Sequence, residues 1–222
     1  DLFVCVYREE TKQNRGEFVF HDALDGGQNY LFRNDLTSNE AWRFTDVSQA
    51  AGLAAGSSRY TLAAAWEDYD NDGDPDLYLA NDYGPNALYR NDGGVFTDAT
   101  ASSGLIDTGF GMSADWGDYN RDGQFDLYVG NMFSSAGSRI TSQPGFQEQA
   151  SAEQREIYRR MAQGNSLFAG TPQGTFQDNS QIAQVQMGRW AWSSLFADLN
   201  NDGWEDLVVA NGYITAASEN DL

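Results

Sequence analysis

The stretch DYDNDGDPD, residues 68–76, sets side-chain oxygens at its first, third, fifth and ninth positions (Asp68, Asp70, Asp72, Asp76), with Gly73 at the sixth. The pattern returns as DYNRDGQFD, residues 118–126 (Asp118, Asn120, Asp122, Gly123, Asp126). It returns again as DLNNDGWED, residues 198–206 (Asp198, Asn200, Asp202, Gly203, Asp206). Alternate residues of a tight loop turn inward, and glycine at the sixth position permits the sharp bend. The seventh residues, Asp74, Gln124 and Trp204, share no side-chain chemistry, which points to use of their backbone carbonyls alone.

Two carboxylates ~4 Å apart repel by on the order of 4 kcal/mol at an effective dielectric of about 20. A hard divalent cation is therefore implied in each loop. Ca2+ accepts a flexible cage of six to eight oxygens at roughly 2.4 Å, whereas Mg2+ demands strict octahedral geometry and retains water. Three Ca2+ sites are expected, with position 9 closing each shell. An EF-hand is excluded, because its position 12 carries a bidentate Glu, and here Leu79, Val129 and Val209 occupy that place.

The loops exit into DLYLAN, DLYVGN and DLVVAN, which read as strands. They are entered through alternating runs in which Leu62, Ala64 and Trp66 correspond to Met112, Ala114 and Trp116 and to Trp192, Ser194 and Phe196. That recurrence predicts core positions for Trp66, Trp116 and Phe196. The repeat continues through FTDVSQAAGL (44–53), FTDATASSGL (96–105) and FQDNSQIAQV (176–185), preceded by NYLFRN, NALYRN and NSLFAG. Each unit offers about four short strands. The first loop positions lie 50 and then 80 residues apart, so the last unit carries an insertion. A period of roughly 40–50 residues with four strands is that of β-propeller blades. The fold expected is all-β, with blades of four antiparallel strands, Ca2+ loops in hairpins and one short helical insertion. The units are 1–28 (end of a preceding blade), 29–85, 86–131, the insertion 132–164, 165–213 and a tail or next blade at 214–222.

These loops and flanking strands resemble the FG-GAP or VCBS-type repeats of integrin alpha subunits. FTDVSQAAGL together with WEDYDNDGDPDLYLAND is similar to bacterial relatives of cartilage acidic protein. The resemblance implies a seven-bladed propeller on a secreted or surface protein, with Asp68, Asp70, Asp72 and Asp76 and their counterparts as calcium ligands. Asp1-Leu2-Phe3-Val4 aligns with Asp76-Leu77-Tyr78-Leu79, as if the chain opened at the ninth residue of an earlier loop. The chain is thus expected to be a piece of a longer protein. A fourth Ca2+ site at Asp1 would draw its other ligands from residues outside it.

The formal charge of −20 and pI near 4.1 argue against nucleic-acid or anionic-membrane partners, even with three cations bound. With 41% apolar and 14% aromatic residues, the acidity is not a sign of disorder. No stretch approaches the ~20 apolar residues of a membrane-spanning helix. The single Cys5 reads as a small core residue. His21 has no companion for a triad or zinc site. Asp46, Asp98 and Asp178 recur at one place in each unit, which favours a turn hydrogen bond over catalysis. No catalytic residue is expected.

The insertion individualises the chain. SSAGSRITSQPG reads as loop. SAEQREIYRRMAQG offers a capping box at Ser151 and Gln154, an apolar pair at Ile157 and Met161, and a stop at Gly164. Arg155, Arg159 and Arg160 form its basic cluster, read either as a solvated face or as a docking element. The function expected is a calcium-stabilised, secreted, surface or periplasmic scaffold without chemistry of its own. It would serve adhesion or interaction with a protein or glycan partner at a cell surface or in a complex. The alternatives are a structural or accessory subunit of a larger extracellular or periplasmic assembly and the non-catalytic part of a polysaccharide-active enzyme.

Overall fold

The computed structural model describes residues 1–8, 22–36, 43–54 and 58–211; His21 and the 214–222 tail lie outside them. Four open antiparallel sheets follow one another along the chain. The first holds β1 (Leu2–Val4), β2 (Tyr30–Asn34) and β3 (Phe44–Asp46). The second is the meander β4 (Thr61–Glu67), β5 (Asp76–Asn81), β6 (Ala87–Asp92) and β7 (Val95–Asp98). The third runs β8 (Gly111–Gly117), β9 (Asp126–Asn131), β10 (Ser166–Gly170) and β11 (Phe176–Asp178). The last pairs β12 (Ala191–Ala197) with β13 (Asp206–Asn211). Helices α1 (Thr100–Ser103), α2 (Ser135–Thr141), α3 (Ala152–Gln163) and α4 (Ser180–Ala183) lie in the connections.

Sheets are cut out of phase with the sequence repeats. Residues 29–85 supply β2 and β3 of one sheet and then β4 and β5 of the next. Each loop-bearing hairpin thus opens a sheet, and each FTD or FQD strand closes one.

Burial explains the composition of the exit strands. Every residue of β5 and of β9 is buried, because each of these strands has a packed sheet on both faces. On one face of β5, Leu77 and Leu79 meet Leu31, Ala51 and Leu53, with Tyr89 and Phe96 beside them. On the other, Tyr78, with Leu88 of β6 beside it, meets Leu127, Val129 and Phe168. Trp66, expected in the core, is 39% exposed. The first strand of the third sheet, β8, lies against both β4 and β12, so the sheets stack face to face through their opening strands.

The entering strands depart from simple alternation. A register shift falls between Thr61 and Ala63, between Gly111 and Ser113 and between Ala191 and Ser193. The residue inside each shift (Leu62, Met112, Trp192) is the extra one of a bulge, so the strict alternation expected from the sequence begins only after it.

Asp46, Asp98 and Asp178 are turn residues. Each accepts the N–H two residues on, from Ser48, Thr100 and Ser180, at 2.9–3.0 Å. Those three hydroxyls then accept the N–H of Leu31, Leu88 and Leu167 at 2.8–2.9 Å. Cys5 is half-buried, and burial pushes its thiol up to about 11.

The insertion joins β9 to β10 within one sheet and holds two helices rather than one. The 135–141 stretch, read as loop from its small residues, is helix α2. Ser134 caps it by accepting the Gly137 N–H at 3.0 Å, and it packs against α3. A good cap and a packed neighbour outweigh weak propensity. Helix α3 carries the expected capping box of Ser151 and Gln154 and buries Met161 and Ala162. Among the described residues no helix is long and apolar enough to cross a membrane.

Candidate metal centres

Each loop is wound around its first residue. Asp68 accepts the N–H groups of Asp72 and Gly73, both at 3.0 Å. Asp118 accepts from Asp122 and Gly123 at 3.0 Å, and Asp198 from Asp202 and Gly203 at 3.1 and 2.8 Å. The fifth residue repeats the device one step later: Asp72, Asp122 and Asp202 each accept the N–H of the seventh residue at 2.9 Å. In the two loops with an amide at position 3, Asn120 and Asn200 also accept from the fifth residue at 2.9 Å.

The bend needs two left-handed residues. Gly73, Gly123 and Gly203 supply one, at φ 96°, 82° and 84°. The other is position 4, where Asn71, Arg121 and Asn201 sit at φ 58–60°. Asparagine tolerates that region better than most residues; arginine has no such preference, so this strain was not readable from the sequence.

The ninth residue ties the loop to the sheet. Buried Asp76 accepts the Tyr69 N–H at 3.2 Å with one oxygen and the Asn91 N–H of β6 at 2.8 Å with the other. Asp126 does the same with Tyr119 at 3.2 Å and Gly170 at 2.9 Å. Asp206 accepts from Leu199 at 3.2 Å. Burial, reinforced by Asp70 and Asp72 against the pull of the two N–H donors, pushes the Asp76 carboxyl up to about 7. Burial, with Asp122 and Asp118, pushes Asp126 up to about 6. Asp70 is also raised, by burial and then by Asp72.

The first loop fits a cation on two counts. Asp68, Asp70 and Asp76 each turn one oxygen into a space where all three lie within 4.8 Å of one another. Asp70 Oδ1 is buried with no hydrogen-bond partner. Three converging carboxylates, one of which carries an unsatisfied buried oxygen, are a donor set for a hard cation. The side chains at position 7 are engaged elsewhere: Asp74 accepts the Gly93 N–H at 2.7 Å, and Gln124 donates to the Gly123 carbonyl at 2.9 Å. Trp204 points outward, 50% exposed, with the Arg121 guanidinium 5.1 Å from its ring centroid.

Two sets of positioning residues escaped the sequence reading. Asn29, Asn86 and Asn165 open the NYLF, NALY and NSLF segments, and their amide oxygens accept the N–H of Val6, Asn81 and Asn131 at 2.7–2.8 Å. Their recurrence was the available signal. Asp107, buried between β7 and β8, pairs with Arg160 at 3.0 Å and occurs once, so no repeat announced it. Arg155 donates to the Ala150 carbonyl at 2.8 Å, and Arg159 pairs with Glu156 at 2.8 Å. The expected basic cluster is thus turned largely onto its own chain.

No curated protein matches this chain significantly. The family model described as FG-GAP-like repeat matches residues 68–129 and 154–209, together more than half of the sequence. The matched segments contain all three acidic loops and at least the first four residues of each exit strand, and such repeats give the stacked sheets a propeller-like architecture. The chain belongs to the FG-GAP-like repeat family.

Proposed function

We propose that the chain is a calcium-stabilised, exported scaffold whose three loops bind Ca2+ and which acts by holding a protein or glycan partner rather than by chemistry. Repeats of this family build adhesion or protein-interaction domains, are generally non-enzymatic and are typically extracellular. The observation that carries the calcium reading is the set of converging carboxylates of Asp68, Asp70 and Asp76, with the unsatisfied buried oxygen of Asp70. Asp72 and the carbonyl of Asp74 would complete that cage. Asp118, Asn120, Asp122, Gln124 through its carbonyl, and Asp126 would form the second. Asp198, Asn200, Asp202, Trp204 through its carbonyl, and Asp206 would form the third.

Export follows from the same chemistry. Extracellular calcium modules have dissociation constants on the order of 10⁻⁴ to 10⁻³ M, and sites that weak fill only where Ca2+ is abundant. At about ten to a hundred times the dissociation constant, each ion stabilises the folded state by about 1.4–2.7 kcal/mol. Three sites sum to roughly 4–8 kcal/mol, and at roughly 2–4 °C per kcal/mol for a chain of this size the melting temperature should rise by on the order of 10–30 °C. Thermal unfolding in EGTA and in about 10 mM Ca2+, roughly ten to a hundred times those dissociation constants, measures this. Identical curves in the two conditions would refute the calcium reading.

A further inference from the structure

Two bridges cross the seam between the third sheet and the last, and both run from one acidic loop to the next. The N–H of Asp118, first residue of the second loop, donates to Oε2 of Glu205, eighth residue of the third, at 2.9 Å. The guanidinium of Arg121, at the fourth position of the second loop, lies 5.1 Å from the ring centroid of Trp204, at the seventh position of the third. Gly203 passes close beneath the same group, where an added Cβ would lie 3.3 Å from Arg121 Nη1.

Each bridging residue stands between two proposed ligands. Glu205 lies between Trp204, whose carbonyl would face the third ion, and Asp206. Arg121 lies between Asn120 and Asp122, held at φ 58°. The first loop and the second have neither bridge. The Asp68 N–H is taken by the adjacent Glu67 at 3.1 Å, and the second loop has Gly117 in the place of that glutamate. The eighth residue of the second loop is Phe125, which has no side-chain acceptor, and its seventh, Gln124, gives its amide to the Gly123 carbonyl at 2.9 Å. The bridged loops are also the two with Asn at position 3, hence with less ligand charge of their own.

We infer that Glu205 and Arg121 are positioning residues, each acting on the loop across the seam, and that they make the second and third cation sites fill cooperatively while the first fills alone. This rests on the calcium reading proposed above. Without an ion, repulsion among a loop's acidic groups opposes its closure. An ion in the third loop fixes Trp204 and Asp206, and so Glu205 between them, which holds the Asp118 backbone where its carboxylate must stand. An ion in the second loop fixes Asn120 and Asp122, and so the Arg121 guanidinium over Trp204. Ordering one loop therefore orders part of the other, which is positive coupling.

Uptake of Ca2+ followed by equilibrium dialysis tests this. Asp72→Ala, Asp122→Ala and Asp202→Ala each remove one exposed ligand and silence one loop. Asp72→Ala with Asp202→Ala leaves the second site alone, and Asp72→Ala with Asp122→Ala leaves the third alone. Asp72→Ala by itself keeps both. A coupling of about 5–150-fold lowers the midpoint of a matched pair by its square root, so that variant should half-fill at about two- to tenfold less free Ca2+ than the sum of the two single-site curves. Adding Glu205→Ala or Arg121→Ala should return its curve toward that sum. Glu205→Gln, which keeps an acceptor for the Asp118 N–H, should not. In the otherwise native chain, where no loop is silenced, Glu205→Ala should move two of the three ions to higher Ca2+ and leave the third in place. Superposition of the Asp72→Ala curve on the single-site sum, displacement from it to higher Ca2+, or a native-chain Glu205→Ala that moves all three ions or none overturns the coupling and leaves the calcium reading standing. Absence of any Ca2+ uptake by the native chain sinks both.

Discussion

Replacing Arg160 by methionine isolates one buried contact between the helical insertion and the sheets. The Arg160 guanidinium is 15% exposed and lies 3.0 Å from Oδ1 of Asp107, which is wholly buried. Burial alone would raise the Asp107 carboxyl. Arg160, the Ser166 hydroxyl, the Gly109 N–H and the Asn131 amide outweigh it and hold the group below the usual carboxylate range. Removing one partner of a buried pair costs about 3–5 kcal/mol, and the neutral donors left around Asp107 place this case near about 3 kcal/mol. At roughly 2–4 °C per kcal/mol, the melting temperature should fall by about 6–12 °C. Adding Asp107→Asn removes the stranded charge and should recover more than half of the loss. The pH dependence has a definite sign. In the native protein the Asp107 contribution is fully present above the unfolded value of about 3.9 and is lost as pH falls through the lower folded value. In Arg160→Met, burial dominates and the folded value rises, so that variant loses stability as pH climbs from acid toward neutral. Thermal unfolding followed by circular dichroism from acid to neutral pH should show the gap between native and Arg160→Met proteins widening upward. A gap of less than about 1 kcal/mol at neutral pH, or one independent of pH, would refute the reasoning.

Gly117→Ala should cost about 1–3 kcal/mol, because an added Cβ would lie 2.4 Å from Glu205 Oε2 and 2.7 Å from the Phe196 ring. Urea unfolding measures the loss, and Glu205→Ala in the same background should return part of it. Asp76→Asn should remove one Ca2+ from the calorimetric stoichiometry. In EGTA the native protein should lose stability as pH rises from about 4 to about 7, because folded Asp76 keeps its proton up to about 7 while the unfolded chain releases it near 3.9. Asp76→Asn should flatten that slope, and melting scans across the range would show whether it does.

What the sequence disclosed was whatever it repeated. Three acidic loops, their apolar exits and the turn aspartates Asp46, Asp98 and Asp178 each occur in register, and a repeated local pattern reports a repeated local structure. Single events were hidden. The pairing of Asp107 with Arg160 joins residues far apart in sequence. Helix α2 forms because Ser134 caps it and α3 lies beside it, neither of which propensity records. The bulge at Leu62, Met112 and Trp192 does recur, yet a one-residue shift leaves hydrophobic alternation nearly intact and escapes a reading by period. Trp66 was misread for a different reason: register fixes the face a side chain takes, while burial depends on which rings the neighbouring sheet provides.

The loops do more than close hairpins, and this bears on why a cation there would matter to a scaffold. In the first loop, Asp76 and Asp74 accept N–H groups of Asn91 and Gly93, so carboxylates on the β4–β5 hairpin hold the β6–β7 hairpin. In the second, the Asp118 N–H donates to Glu205 of the third loop at 2.9 Å, and Arg121 stacks over Trp204. Gly117 leaves room for that carboxylate, whereas the Asp68 N–H is served by its own neighbour Glu67 at 3.1 Å. Repulsion among the acidic groups would therefore act on bonds between hairpins and between sheets as well as on the loop itself. A divalent ion that cancelled it would stiffen the stack across its seams, where propeller-like sheets must resist sliding if they are to present a fixed surface to a partner.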